Sequence, residues 1–200
     1  ESSAASDVYK RQHLNHTAEH VLDPTMLLTP ADYRALIGEG GAEKYTNKIT
    51  AFILDRSDDK LAALKKVSKV LAMDYNFAAT ETEDRLAPLE KRIAPSVADW
   101  LKAMYYADFI FTDSFHGCVF SILFNKPFVL YVNRNRGVAR FESLLKLFKI
   151  ENRTLSDSNG LESCPIRQSI DWKPINAKLE EMRSKSMCFL ENALTARDEQ

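Results

Sequence analysis

Short apolar runs alternate along this chain with longer stretches in which apolar residues recur every three to four positions. The short runs, Ile49–Leu54, Tyr75–Thr80, Phe109–Thr112 and Phe128–Val132, predict four strands. The longer stretches predict helices. Leu61, Leu64, Val67, Val70 and Leu71 share a face over residues 58–72, as do Trp100, Leu101 and Met104 over Val97–Tyr106. Phe141, Leu144, Leu145 and Phe148 form a stripe over Val138–Phe148. Leu179, Met182, Met187 and Leu190 mark a last helix from about Ile175 to Ala196. Gly117–Phe124 is apolar nearly all round, the pattern of a buried helix.

Polar punctuation supports these boundaries. Thr29-Pro30 with Asp32 starts a helix that runs to about Ile37 and stops at Gly38. Asp55-Arg56-Ser57-Asp58 makes a turn and an N-cap, and Ser96 with Asp99 resembles a capping box. Residues 39–48 and 81–94 read as loops, and 151–171 are polar without a strong signal. Strands alternating with helices argue for an α/β fold: a parallel, Rossmann-like sheet with helices on both faces. Four strands are few for a doubly wound domain of this length, so the sheet reads as one half of something larger.

Composition narrows the class. With 45% hydrophobic residues the chain can bury a core, and a net charge of −1 offers no field for nucleic acid. The three cysteines are scattered and odd in number, which fits a reducing, cytoplasmic setting. Cys118 and Cys188 lie in apolar runs and read as buried hydrophobes. No apolar run approaches a membrane span, and no secretory signal is present. Residues 1–12 lack any period and read as a non-native, adapter-like tail; the native protein is then expected to begin further upstream. Residues 13–48 read as a linker and the end of a preceding half, 49–171 as the sheet domain, and 172–200 as a helix packing back toward that half. His13, His16 and His20 have helical spacing but adjoin the tail, and no metal site is expected.

Candidate chemistry concentrates after the third strand. Asp113-Ser114-Phe115-His116-Gly117 forms a strand-to-helix corner at the carboxyl edge of the sheet, where such sheets bind ligands. Free backbone N–H groups and the positive helix end favour an anion there. Gly117 allows close approach to the backbone, and Ser114 either adds a hydroxyl or caps the helix. Asp113 reads as a turn-stabilising residue, and Asp55 either does the same or faces the cleft. After the next strand, Asn133, Arg134, Arg136 and Arg140 emerge at the same edge, and guanidinium groups suit carboxylate and phosphate. Lys126 falls at the opposite end, in a turn.

The segment Ala107–Phe128 closely resembles the hallmark segment of the polysaccharide pyruvyl transferase family. The resemblance extends to Asn133, Arg134, Arg136-Gly137, Arg140-Phe141 and Ser143-Leu144-Leu145, to Asp23–Leu28 and to Ile93–Leu101. It implies the C-terminal half of a GT-B-type, two-domain architecture. The implied activity is transfer of a pyruvyl group from phosphoenolpyruvate to sugar hydroxyls, forming a ketal in surface-polysaccharide biosynthesis. His116 matches the family's catalytic histidine. Ser114, Phe115, Gly117, Asn133, Arg134, Arg136 and Arg140 are the implied substrate contacts. No cofactor is implied, since phosphoenolpyruvate is itself the donor. The acceptor would be a sugar or a lipid-linked glycan, through which the enzyme would associate peripherally with a membrane. A chain holding one half is expected to be inactive alone. Some members carry Arg-Leu where Ser114-Phe115 stand here, so either the 134–140 loop supplies the charge or the donor differs. The alternatives are a GT-B glycosyltransferase using a nucleotide sugar and a non-catalytic glycan- or anion-binding domain.

Overall fold

The computed structural model describes residues 19–79, 86, 88–89, 93–132 and 137–195. Most of the loop expected over 81–94 therefore lies outside the described residues, as does the tail at 1–12. Five strands form one sheet: β1 Lys48–Phe52, β2 Asp74–Phe77, β3 Phe109–Thr112, β4 Phe128–Tyr131 and β5 Thr154–Leu155. The order is β2-β1-β3-β4-β5 and every neighbouring pair is parallel. The α/β reading with a parallel sheet is thus observed.

Helices α1 Pro30–Ile37, α2 Asp58–Leu71 and α3 Val97–Tyr106 follow the expected spans closely. Helix α4, Phe115–Leu123, begins two residues earlier than its apolar run, because Ser114 caps it and draws Phe115 and His116 into the first turn. Helix α5 covers Val138–Phe148, and α6 extends over Trp172–Thr195. The starting signals act as their chemistry dictates. Thr29 and Asp32 complete a reciprocal capping box, and Gly38 ends α1 with φ of 70°.

β5 was not expected. It has two residues inside the polar 151–171 stretch and exists through its partner: Leu130 pairs with Thr154, and the Val132 N–H donates to the Leu155 carbonyl at 2.8 Å. No local pattern announces a strand that short.

Strand residues alternate between two packed faces. Ile110, Phe128 and Leu130 pack with α1, α3, α4, α5 and α6, whereas Phe109, Phe111, Val129 and Leu155 pack with α2 and the Leu161–Ile166 stretch. Both faces are covered, which is why the strands read as unbroken apolar runs. Every residue of α4 from Gly117 to Leu123 is buried. Leu22, Met26, Tyr33 and Ile37 belong to the same core as the sheet domain. The N-terminal segment is also bound to α6. The Leu22 N–H donates to Ser186 Oγ at 3.0 Å, and Arg183 donates to the carbonyls of Met26 and Leu28 at 3.0 and 3.2 Å.

One burial expectation is corrected. Cys188 is exposed on α6, and it is Cys164 that joins Cys118 inside. The apolar stripe of α6 drifts off the core beyond Ser186, leaving Met187, Phe189, Leu190 and Leu194 exposed as well.

Candidate functional site

Strand order reverses between β1 and β3, so the loops after these two strands diverge and open a crevice at the carboxyl edge. Its floor is closed by a buried ion pair. Asp113, fully buried, accepts from the N–H groups of Leu54 and Asp55 at 2.7 and 3.1 Å and from Lys60 Nζ at 2.7 Å. Lys60 also donates to the Asp55 carbonyl at 2.7 Å and lies 5.6 Å from the centre of the Tyr131 ring. Asp113 therefore does more than stabilise its own turn: it ties the end of β3 to the loop after β1.

The corner above this floor is rigid for local reasons. Thr112 Oγ1 donates to the Phe52 carbonyl at 2.7 Å and accepts from the Ser114 N–H at 3.0 Å. Ser114 Oγ in turn accepts from the Gly117 N–H, so Ser114 is the N-cap of α4. A Cβ on residue 117 would stand 2.1 Å from Thr112 Oγ1. A glycine stands at 117 because helix and strand touch there, and its N–H already has an acceptor. The N–H groups of Phe115 and His116 are the ones that helix geometry leaves without an intrahelical acceptor.

His116 projects from that first turn with 49% of its side chain exposed. Its Nε2 lies 3.8 Å from Asp23 Oδ2, and its ring meets Phe115 edge-on with centroids 5.7 Å apart. Phe115 has a second neighbour. The Arg140 guanidinium lies 4.1 Å from the Phe115 ring centre, a cation–π contact, and among the described residues it has no carboxylate partner. The chain thus joins the corner after β3 to the helix start after β4. A cavity of about 290 Å³ lies there, lined by His20, Asp23, Met26, Phe115, Arg140 and Ser143 among others. Larger concavities of about 710 Å³ lie elsewhere, one between α2 and the 158–168 stretch and one beside the start of α6. The smaller one is the stronger candidate, because Phe115 of the carboxyl-edge corner and Arg140 both line it.

Asn133, Arg134 and Arg136 lie outside the described residues. Asp55 contributes its backbone to the Asp113 and Lys60 contacts. Lys126 sits before β4, at the amino edge, its N–H donating to the Ser121 carbonyl, and burial holds its ammonium below the usual lysine range. Burial, reinforced by the Asp113 charge, pushes the Cys118 thiol far up, so it serves as a packing group. Two residues were not read as site residues from sequence. Asp23 entered only within the Asp23–Leu28 resemblance, and Arg56, read as part of a turn, lies 4.1 Å from the Phe77 ring centre on the far flank of the crevice. Among the described residues no cluster of three His, Cys, Asp or Glu could hold a metal, and no helix is long and apolar enough to cross a membrane.

A family model described as polysaccharide pyruvyl transferase matches residues 1–135, which takes in Asp23, the Asp113–Gly117 corner and the sheet through β4. The chain belongs to the polysaccharide pyruvyl transferase family. Membership places it among transferases. No curated protein and no solved structure matches the chain.

Proposed function

We propose that this family member transfers the pyruvyl group of phosphoenolpyruvate to two hydroxyls of a sugar, giving a cyclic ketal and phosphate during surface-polysaccharide assembly in the cytoplasm. One observation carries the reading: an exposed histidine stands beside Asp23 and Phe115, which line a small carboxyl-edge cavity together with Arg140. Enol ether chemistry needs those two kinds of group. The methylene carbon must take a proton so that the adjacent carbon becomes electrophilic, and the donor's carboxylate and phosphate need cations.

In this mechanism protonated His116 donates to the methylene carbon, whose π electrons form the new C–H bond. The first sugar hydroxyl attacks the adjacent carbon, and its proton restores the imidazole. The second hydroxyl then displaces phosphate, which leaves with that hydroxyl's proton. Arg140 binds the carboxylate or phosphate through paired hydrogen bonds, and the N–H groups of Phe115 and His116 add the positive end of α4. Arg140 on Phe115 would supply at this corner the cation that other members carry beside the histidine. Asn133, Arg134 and Arg136 are further donor contacts in this reading. The described domain would be the C-terminal half of a GT-B-type enzyme, with the exposed apolar end of α6 meeting the other half.

Incubation of the two-half enzyme, with the preceding half supplied in the same chain, with phosphoenolpyruvate and candidate glycans tests the proposal. The expected result is acceptor-dependent phosphate release that drops about 10²–10⁴-fold in His116→Gln, the range for a positioned general acid. Transfer from a nucleotide sugar, with none from phosphoenolpyruvate, would favour a glycosyltransferase. Binding without turnover, indifferent to His116, would favour a glycan-binding domain.

A further inference from the structure

We infer that Asp23 is the positioning residue for His116, and that their pairing gives the two imidazole nitrogens different tasks: Nε2 faces the carboxylate, and Nδ1 exchanges the proton with substrate. The identity of that substrate rests on the pyruvyl-transfer reading; the pairing rests on geometry.

The two oxygens of Asp23 are differently engaged. Oδ1 accepts from the Thr25 N–H at 3.0 Å and from the Thr25 hydroxyl at 2.7 Å, capping the 3₁₀ turn Pro24–Leu27. Oδ2 stands 3.8 Å from His116 Nε2. The cap alone does not call for a carboxylate, since Asn or Ser would serve it about as well. A negative charge matters to the imidazole. The Asp23 side chain is 17% exposed, so solvent screens the pair only in part.

Both partners sit on fixed supports. Met26 is fully buried, the Tyr33 hydroxyl donates to the Thr25 carbonyl at 2.8 Å, and α6 grips the segment through Ser186 and Arg183. On the other side, His116 leaves α4 one residue before Gly117, where helix and strand are in direct contact. The separation is that of an ion pair rather than a hydrogen bond, and such contacts shorten when substrate closes the site. A carboxylate behind a histidine orients the ring, a constraint that a half-exposed imidazole otherwise lacks. Through Asp23, the last helix of the chain takes part in aiming the general acid.

Asp23→Asn tests this, because the amide keeps the shape and the oxygen that Thr25 needs. If that variant melts early, Asp23→Ser, which caps through its own hydroxyl, carries the same test. With ¹⁵N-labelled histidine, the His116 Nε2 resonance should shift between the wild-type protein and Asp23→Asn. In the phosphoenolpyruvate assay, kcat should fall about 10–100-fold, the usual loss for an orienting partner, with little change in KM. In a His116→Gln background the same substitution should have no further effect. An unchanged resonance with unchanged kcat, or an equal loss in both backgrounds, overturns the inference. A resonance that depends on Asp23 in a protein that releases no phosphate from phosphoenolpyruvate upholds the pairing and sinks the pyruvyl reading. Normal turnover with a resonance indifferent to Asp23 does the reverse.

Discussion

Around the Asp113–Gly117 corner, neighbouring side chains divide two kinds of work. Ser114 and Gly117 hold the turn, while the Phe115-borne Arg140 lines the cavity and His116 stands beside its Asp23 wall. The division makes their substitutions separable. Arg140→Ala should raise the donor dissociation constant about tenfold or more, the worth of one charge-assisted hydrogen bond. The melting temperature should move little, because Arg140 is only half-buried and forms no ion pair among the described residues. Isothermal titration with phosphoenolpyruvate beside a thermal melt decides it; lost stability with unaltered affinity would refute the assignment. Gly117→Ala should do the opposite. Its Cβ would meet a Thr112 hydroxyl already bonded to Phe52 and Ser114, so the strand cannot easily yield. Overpacking of this kind costs about 3 kcal/mol, or roughly 6–12 °C in a chain this size. Calorimetry reads that loss directly, and a melting point matching the parent's would show that the helix can shift.

Between elements, polar contacts cross the carboxyl edge and hold the strands in register. Lys60 on α2 joins Asp113 after β3, and Asp59 on α2 accepts from the Tyr131 hydroxyl at the end of β4 and from the Ser158 N–H at 2.9 Å. Such a bridge makes stability depend on pH at both extremes. Hydrogen bonds from Ser158 and then Tyr131 hold the Asp59 carboxyl below its ordinary value, so its contribution is present at neutral pH and is lost as pH falls through its lowered value. Burial, and then the Asp59 hydrogen bond, push the Tyr131 phenol from 10.0 up to about 12. The folded protein therefore keeps the phenol proton where the unfolded chain releases it. Stability from this group is complete below the unfolded value and declines between 10.0 and about 12. Chemical denaturation across the alkaline range should show that decline in the parent and less of it in Tyr131→Phe. Identical slopes would mean that the phenol is not held.

Across the whole molecule, one core joins the N-terminal segment, the sheet and the first half of α6, while the far end of α6 presents Met187, Phe189, Leu190 and Leu194 to solvent. If the proposed two-half architecture holds, this domain binds the donor without turning it over. Phosphate release should then require the preceding half, supplied in the same chain. Acceptor-dependent turnover by residues 1–200 alone would show that the sheet domain holds a complete site.

Much of this was legible in one dimension because the signals are local. Thr29, Ser57, Ser96 and Ser114 cap helices through their own hydroxyls, and the apolar runs of β1, β3 and β4 need only burial on two faces to become strands. Family membership was legible too, in the segment around His116. Other features depended on residues far apart in sequence. β5 is a strand only beside β4, and Cys188 is exposed because α6 continues past the core beyond Ser186. Asp23 carried no local sign of a site role and became the neighbour of His116 once α6 pinned its segment against the sheet domain. Sequence determined the elements and the chemistry available at the corner, since capping and burial act within a few residues. Tertiary structure decided which groups meet there, because a pairing 93 residues apart follows from packing and has no local signature.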